Sequence, residues 1–170
     1  MIKWNDFNFA GTQYCLRHLW PYAHTFTIPA KNKNPEKSYT VNVVFSLHCF
    51  TRGKKSDDSQ LLFYSDNREV RTFCFERYNH SKLLPGIINQ LDKGKVFHTN
   101  HATYLRLDNT GPSNYEVYFT LTKAKQGQLN LFINSAFLRT IGETQHKGKV
   151  SFNILALNTL AGKKTKVSRR

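Results

Sequence analysis

Tyr39, Val41, Val43, Phe45 and Leu47 alternate with Thr40, Asn42, Val44 and Ser46, and this period of two constrains the chain more than any other feature. Successive side chains of a strand point to opposite faces, so the run lays one face on a core and turns the other outward. The second half repeats the pattern. Tyr115, Val117, Phe119 and Leu121 oppose Glu116, Tyr118, Thr120 and Thr122, while Leu129, Leu131 and Ile133 oppose Asn130, Phe132 and Asn134. Ala124, Lys125, Gln126 and Gly127 join these runs with the length and the glycine of a hairpin connection.

Shorter strand signals fall at residues 24–28, 61–64, 70–75, 96–98 and 102–107. A last one is read from Val150, Phe152 and Ile154. Ser65, Asp66 and Asn67 make a turn between the second and third of these signals, predicting a hairpin. Helical signals are fewer. Residues 14–20 suit a helix that stops at Pro21, and Leu83, Leu84, Ile87, Ile88 and Leu91 repeat at helical spacing with Pro85 in the first turn. The pattern predicts an α+β fold: a single domain with a mainly antiparallel β-sheet and one or two short helices packed on it. We place that domain at residues 1–161, followed by a basic, flexible C-terminal tail at 162–170.

A chain of 170 residues with 39% hydrophobic content, including 13 Phe and 8 Tyr, has enough apolar material for one core. Its charge points to a partner. Lys and Arg number 25 against 11 Asp and Glu, a formal net charge of +14. Lys163, Lys164, Lys166, Arg169 and Arg170 carry five of those positives, so the body retains about +9. Such an excess attracts phosphate backbones without selecting a sequence. Nucleic acid is the expected partner, RNA before DNA, with an acidic protein or antitoxin as the other kind of polyanion. Cys15, Cys49 and Cys74 are too few and too scattered for a disulfide framework, and no apolar run approaches the span of a membrane helix. The expectation is a cytoplasmic protein with free thiols and no membrane association.

The polar faces of the late strands gather Tyr104, Arg106, Tyr118, Thr120, Thr122, Lys123 and Asn134, with Tyr78 and Arg77 where a strand meets the helix. Aromatic and cationic groups on one sheet face can stack bases and neutralise phosphates. An ordinary solvated face made of good strand formers has the same composition. His98 and His101 flank a strand boundary, and histidine carries protons near neutral pH. Metal-independent RNA cleavage needs a base for the 2′-hydroxyl, an acid for the leaving 5′-oxygen and cations for the phosphorane. His98, His101 and Arg77 are the candidate catalytic set. Tyr78, Tyr104, Arg106, Tyr118, Thr120, Thr122, Lys123 and Asn134 are the candidate nucleic-acid contacts.

No cofactor is expected. The eleven acids are dispersed, which disfavours magnesium-dependent nuclease chemistry, and Cys49, Cys74, His98 and His101 lack the close spacing of a structural zinc site. A nucleophilic Cys49 is disfavoured because its strand neighbour His48 would point to the opposite face.

Three segments carry a resemblance: Ser46-Leu47-His48-Cys49-Phe50-Thr51-Arg52, Phe75-Glu76-Arg77-Tyr78 with residues 81–88, and Tyr115-Glu116-Val117-Tyr118-Phe119 continuing to residues 131–137. With residues 150–152 and 158–160 they resemble an uncharacterised bacterial family found in mobile-element settings, which implies bacterial cytoplasm and no particular reaction. The layout, helical material followed by an antiparallel sheet ending in Asn134-Ser135-Ala136, is also similar to the barnase and RelE group of small basic ribonucleases. The β-rich region before Phe75 departs from that group. Together these readings give an RNA-directed protein acting as a metal-independent, toxin-like endoribonuclease, the alternative being a non-catalytic module that binds nucleic acid or an acidic protein.

Overall fold

The computed structural model describes residues 2–32, 34–99, 105–107, 114–140 and 146–165. The chain opens with β1 (Phe7–Phe9) and β2 (Thr12–Tyr14), a tight hairpin. Its two turn residues, Ala10 and Gly11, both have positive φ, the geometry that matches the twist of the flanking strands. A single 3-10 turn, Arg17–Leu19, stands where a helix was expected over 14–20, because Pro21 follows at once.

β3 (Tyr22–Ile28) and β4 (Lys37–Phe45) pair antiparallel, followed by β5 (Thr51–Arg52), β6 (Phe63–Ser65) and β7 (Val70–Phe73). The last three form a small sheet in the order β5-β7-β6, containing the predicted hairpin. Helices α1 (Phe75–Ser81) and α2 (Leu84–Ile88) come next. Then β8 (Lys95–Thr99), β9 (Leu105–Leu107), β10 (Tyr115–Lys123), β11 (Leu129–Leu138) and β12 (His146–Ser151) lead to helix α3 (Phe152–Leu160).

The main sheet has seven strands in the order β12-β8-β9-β10-β11-β4-β3. All its pairs are antiparallel except β4 with β11, which run parallel from Val41↔Leu129 to Phe45↔Ile133. The α+β class with a mainly antiparallel sheet is as expected. Alternation sorts the side chains: Tyr39, Val41, Val43 and Phe45 on β4, Leu129, Leu131 and Ile133 on β11, and Val117 and Phe119 on β10 are buried on one face. That inner face packs against helices, and Phe152 of α3 meets the rings of Phe26 and Phe119.

Two expectations are corrected. Phe152 and Ile154 belong to α3, not to a last strand: Phe152, Leu155 and Ala156 are buried at helical spacing, while Ile154 is 52% exposed. The strand expected to reach Phe75 stops at Phe73, and Phe75 opens α1, whose buried Tyr78 and Ser81 lie three residues apart.

The same core continues at the small sheet as a group of aromatic rings. Phe73 stacks on Phe7 at a centroid distance of 4.0 Å and meets Phe50, Tyr14, Phe75 and Tyr78, while Trp4 packs edge-on against Phe50. The Trp4 indole also donates to the Phe45 carbonyl at 3.1 Å, tying the cluster to β4. Phe73→Ala should cost about 3–5 kcal/mol. Urea unfolding of the variant checks this, and a loss below about 1 kcal/mol would show that the ring is not central.

Candidate functional site

Beyond Phe45 the chain keeps its register with β11 for one more residue. Ser46 N–H donates to the Ile133 carbonyl at 3.0 Å, and Ser46 Oγ donates to the Asn134 carbonyl at 2.6 Å. The same hydroxyl accepts from His48 N–H at 3.1 Å, turning the chain into a single 3-10 turn, Leu47–Cys49. Leu47 and Cys49 are buried by that turn, and His48 is left facing outward.

β10 and β11 add a bulge opposite this turn. Tyr118 pairs with Ser135 and Phe119 with Ile133, so Asn134 is the extra residue. Asn134 and the following Ser135 therefore both line the outer side, with Phe132, Phe137 and Tyr118 beside them. The third wall is the β6–β7 turn. Asp66 Oδ1 accepts from Arg68 N–H at 2.9 Å and Glu69 N–H at 3.0 Å, which orders the turn above the sheet. Ser46, His48, Arg68, Glu69, Tyr118, Phe132, Asn134, Ser135 and Phe137 enclose an open cleft of about 430 Å³.

Inside it, His48 Nε2 lies 2.7 Å from Glu69 Oε1, and Arg71 Nη1 lies 3.3 Å from Glu69 Oε2. The hydrogen bond from His48 holds the Glu69 carboxyl below the usual carboxylate range, with Arg71 assisting. Glu69 is therefore an anion near neutral pH, and a protonated Nε2 donates to it. On the sheet side, buried Glu116 accepts from Tyr118 OH at 2.5 Å and Arg139 Nε at 2.9 Å. The Tyr118 ring stacks on Phe137 at 5.7 Å and 10°.

The sequence-derived candidates are dispersed. Arg77 sits behind the cleft: its Nη1 donates to the carbonyls of His48 at 3.1 Å and Thr51 at 2.9 Å, and its guanidinium lies 5.1 Å from the Phe137 ring centroid. Burial pushes its pKa down. It fixes the backbone of the His48 turn. Tyr78 is 7% exposed and belongs to the aromatic cluster around Phe73. His98 pairs across the sheet with Leu105, which pairs with core residue Phe119, so its register position is that of the inner face. Tyr118 and Thr120 occupy the alternate, outer positions, joined there by Asn134, whose Nδ2 donates to Thr120 Oγ1 at 2.9 Å. Thr122 and Lys123 are exposed at the end of β10. Arg106 pairs its backbone with Phe97, and His101 and Tyr104 lie outside the described residues.

The residues missing from the candidate set are Ser46, His48, Arg68, Glu69, Phe132, Ser135 and Phe137. The available signals were a histidine just past the last core residue of a strand and an Asp66-Asn67 turn with charged residues after it. Cys49 is wholly buried and its pKa is pushed up to about 12 by that burial, so it is a core thiol.

Residues 6–160 match the YjaZ family model. The chain belongs to the YjaZ family. Protein YjaZ of Escherichia coli (strain K12) is 32% identical over 133 residues, covering 74% of this chain and 73% of that protein. No solved structure matches the chain. Membership of the YjaZ family corrects the resemblance to a mobile-element family, since the match takes in the very segments that suggested it. The barnase and RelE likeness falls as well. The region before Phe75 is integral to this fold, supplying β3 and β4 of the main sheet. Among the described residues, no helix is long and apolar enough to cross a membrane.

Two outcomes follow for this YjaZ-family chain. A thiol reagent should modify exposed Cys15 in the folded protein and leave Cys49 untouched until unfolding, as peptide mass mapping would show. Modification of folded Cys49 at the rate of Cys15 would contradict its burial. Because Glu69 has a depressed folded pKa, its contacts stabilise the fold above the ordinary value of 4.5 and lose effect as pH falls through the lower folded value. Glu69→Gln should therefore lower the urea midpoint near pH 7, with the deficit vanishing near pH 2; an equal deficit at both would remove the electrostatic explanation.

Proposed function

We propose that this YjaZ-family protein is an RNA-directed binding protein that holds the phosphate backbone with its lysines and presents the outer face of its sheet to a single strand. The distribution of charge carries this reading. Asp58 pairs with Arg52, Asp66 with Arg68, Glu69 with His48 and Arg71, and Glu116 with Arg139. Every described lysine is exposed, and among the described residues none forms an ion pair. Arginines thus pair with Asp58, Asp66, Glu69 and Glu116, and the described lysines remain available to a polyanion.

The shape favours single strands over duplex DNA. A duplex reader inserts an element into the major groove, whereas α1, α2 and α3 span seven, five and nine residues and contribute buried side chains to the core. The outer face is an array of hydroxyls and amides: Thr25 with Thr40, Thr27 with Ser38, and Asn42 with Asn130 are cross-strand hydrogen-bonded pairs. Such a face suits a flexible strand bound through backbone and stacking contacts.

Metal-independent cleavage is the second reading. One observation favours it: His48 is oriented through Nε2 by Glu69, leaving Nδ1 without a hydrogen bond among the described residues, as an acid-base group requires. The earlier set of His98, His101 and Arg77 has less support, since Arg77 Nη1 is engaged by two carbonyls.

Filter binding with single-stranded RNA in excess chelator tests both. Affinity should fall steeply between about 50 and 200 mM salt, and replacing Lys123, Lys125 and Lys149 together by Gln should reduce the slope of log K against log salt by about two. Intact bound RNA supports the binding reading and discrete fragments the cleavage reading. Affinity that ignores salt would contradict both.

A further inference from the structure

We propose that the cleft between the His48 turn, the Asp66–Glu69 turn and the β10–β11 bulge is a base-reading pocket that admits one unstacked guanine of the bound strand. The inference rests on RNA as the partner, and it assigns the cleft a task distinct from the lysine surface: lysines grip phosphates and carry no sequence information, whereas a pocket that grips a base edge does.

Size and lining agree with a nucleoside. A volume of about 430 Å³ falls within the roughly 300–1,000 Å³ of small-ligand pockets. Three aromatic rings line it. Phe137 is already covered, with Tyr118 stacked on it and the Arg77 and Arg139 guanidinium groups 5.1 and 5.9 Å from its centroid. Phe132 is partly exposed and has no ring partner among the described residues, so its face is open to a base. At the rim, Arg68 is 60% exposed while its Nε and Nη2 hold Asp66, and its remaining nitrogen is in a position suited to the phosphate attached to a bound nucleoside.

The polar groups select which base. An ionised carboxylate offers about four lone-pair sites, and the Glu69 oxygens have one taken by His48 and one by Arg71. One site on each oxygen remains, so the carboxylate can still accept two donors. His48 Nδ1 is an acceptor when Nε2 donates to Glu69, and Asn134 donates through Nδ2 to Thr120, which leaves its Oδ1 as another acceptor. The Ser135 hydroxyl is the neighbouring group able to donate. Acceptors therefore dominate, and the complementary base presents adjacent donors. Guanine does so with N1–H and N2–H beside the O6 acceptor, and adenine, cytosine and uracil each lack that pair.

Calorimetric titration of the full chain with the 5′-monophosphates of guanosine, adenosine, cytidine and uridine tests the assignment. Guanosine monophosphate should bind at least about tenfold tighter than the other three. Glu69→Gln should remove that preference, whereas Phe132→Leu, which keeps an apolar side chain but removes the ring, should weaken all four. Circular dichroism and thermal melting of both variants establish that they fold. Equal affinity for the four nucleotides, or no binding of any, overturns the inference, as does a guanine preference that survives Glu69→Gln. If the preference is absent while salt-dependent RNA binding persists, the pocket assignment alone fails. If guanosine monophosphate binds but single-stranded RNA does not, RNA as the partner is overturned.

Discussion

The parallel pairing of β4 with β11 joins residues 41–45 to residues 129–133, and the geometry of the cleft follows from it. Parallel strands cannot be joined by a tight turn, so the intervening chain must cross the sheet, and here the crossing includes the small sheet, α1 and α2 before it returns through β8 to β10. At the end of that pairing Ser46 continues the ladder and binds the Asn134 carbonyl, setting the His48 turn beside the β11 bulge. Arg77 locks the same turn from behind through the carbonyls of His48 and Thr51. One register thus places side chains from three distant segments around a single opening.

The sheet is asymmetric for a simple reason. Its inner face buries a continuous layer of Val, Leu, Ile and Phe against α3 and the 3-10 turns, and its outer face carries Thr, Ser and Asn in cross-strand pairs. Glu116 sits on an outer-face position yet is 3% exposed, and Tyr118 and Arg139 compensate its burial. That network stiffens the cleft wall. With Asp58, Asp66, Glu69 and Glu116 drawn into such pairs, the described lysines stay exposed and form no ion pair among the described residues.

Much of the fold was legible because alternation is local. The long strand β4, the β10–β11 hairpin, the small β6–β7 hairpin and the α+β class follow from periodicity and turn residues. Periodicity failed where two patterns overlap: Val150, Phe152 and Ile154 alternate, but Phe152, Leu155 and Ala156 also fit one helical face, and packing of Phe152 on Phe26 and Phe119 decides for the helix. The site was less legible. Tyr118 and Asn134 were identified because they lie on one hairpin, whereas His48 and Glu69 join them only through the parallel pairing and a bulge, neither of which leaves a local mark in the sequence. Arg77 and Tyr78 read as surface groups because the short helix α1 was unseen, and its packing turns them inward.

The claim on which the account rests is that RNA lies across the outer face of the sheet at the cleft. Ultraviolet crosslinking of the protein to single-stranded RNA, followed by mass spectrometry of the crosslinked peptides, addresses it directly, since flat aromatic contacts with bases crosslink readily. RNA at the cleft should give adducts on the peptide containing Phe132, lost on competition with excess unlabelled RNA. Adducts confined to α3 and the opposite face of the sheet, or none at all, would contradict it.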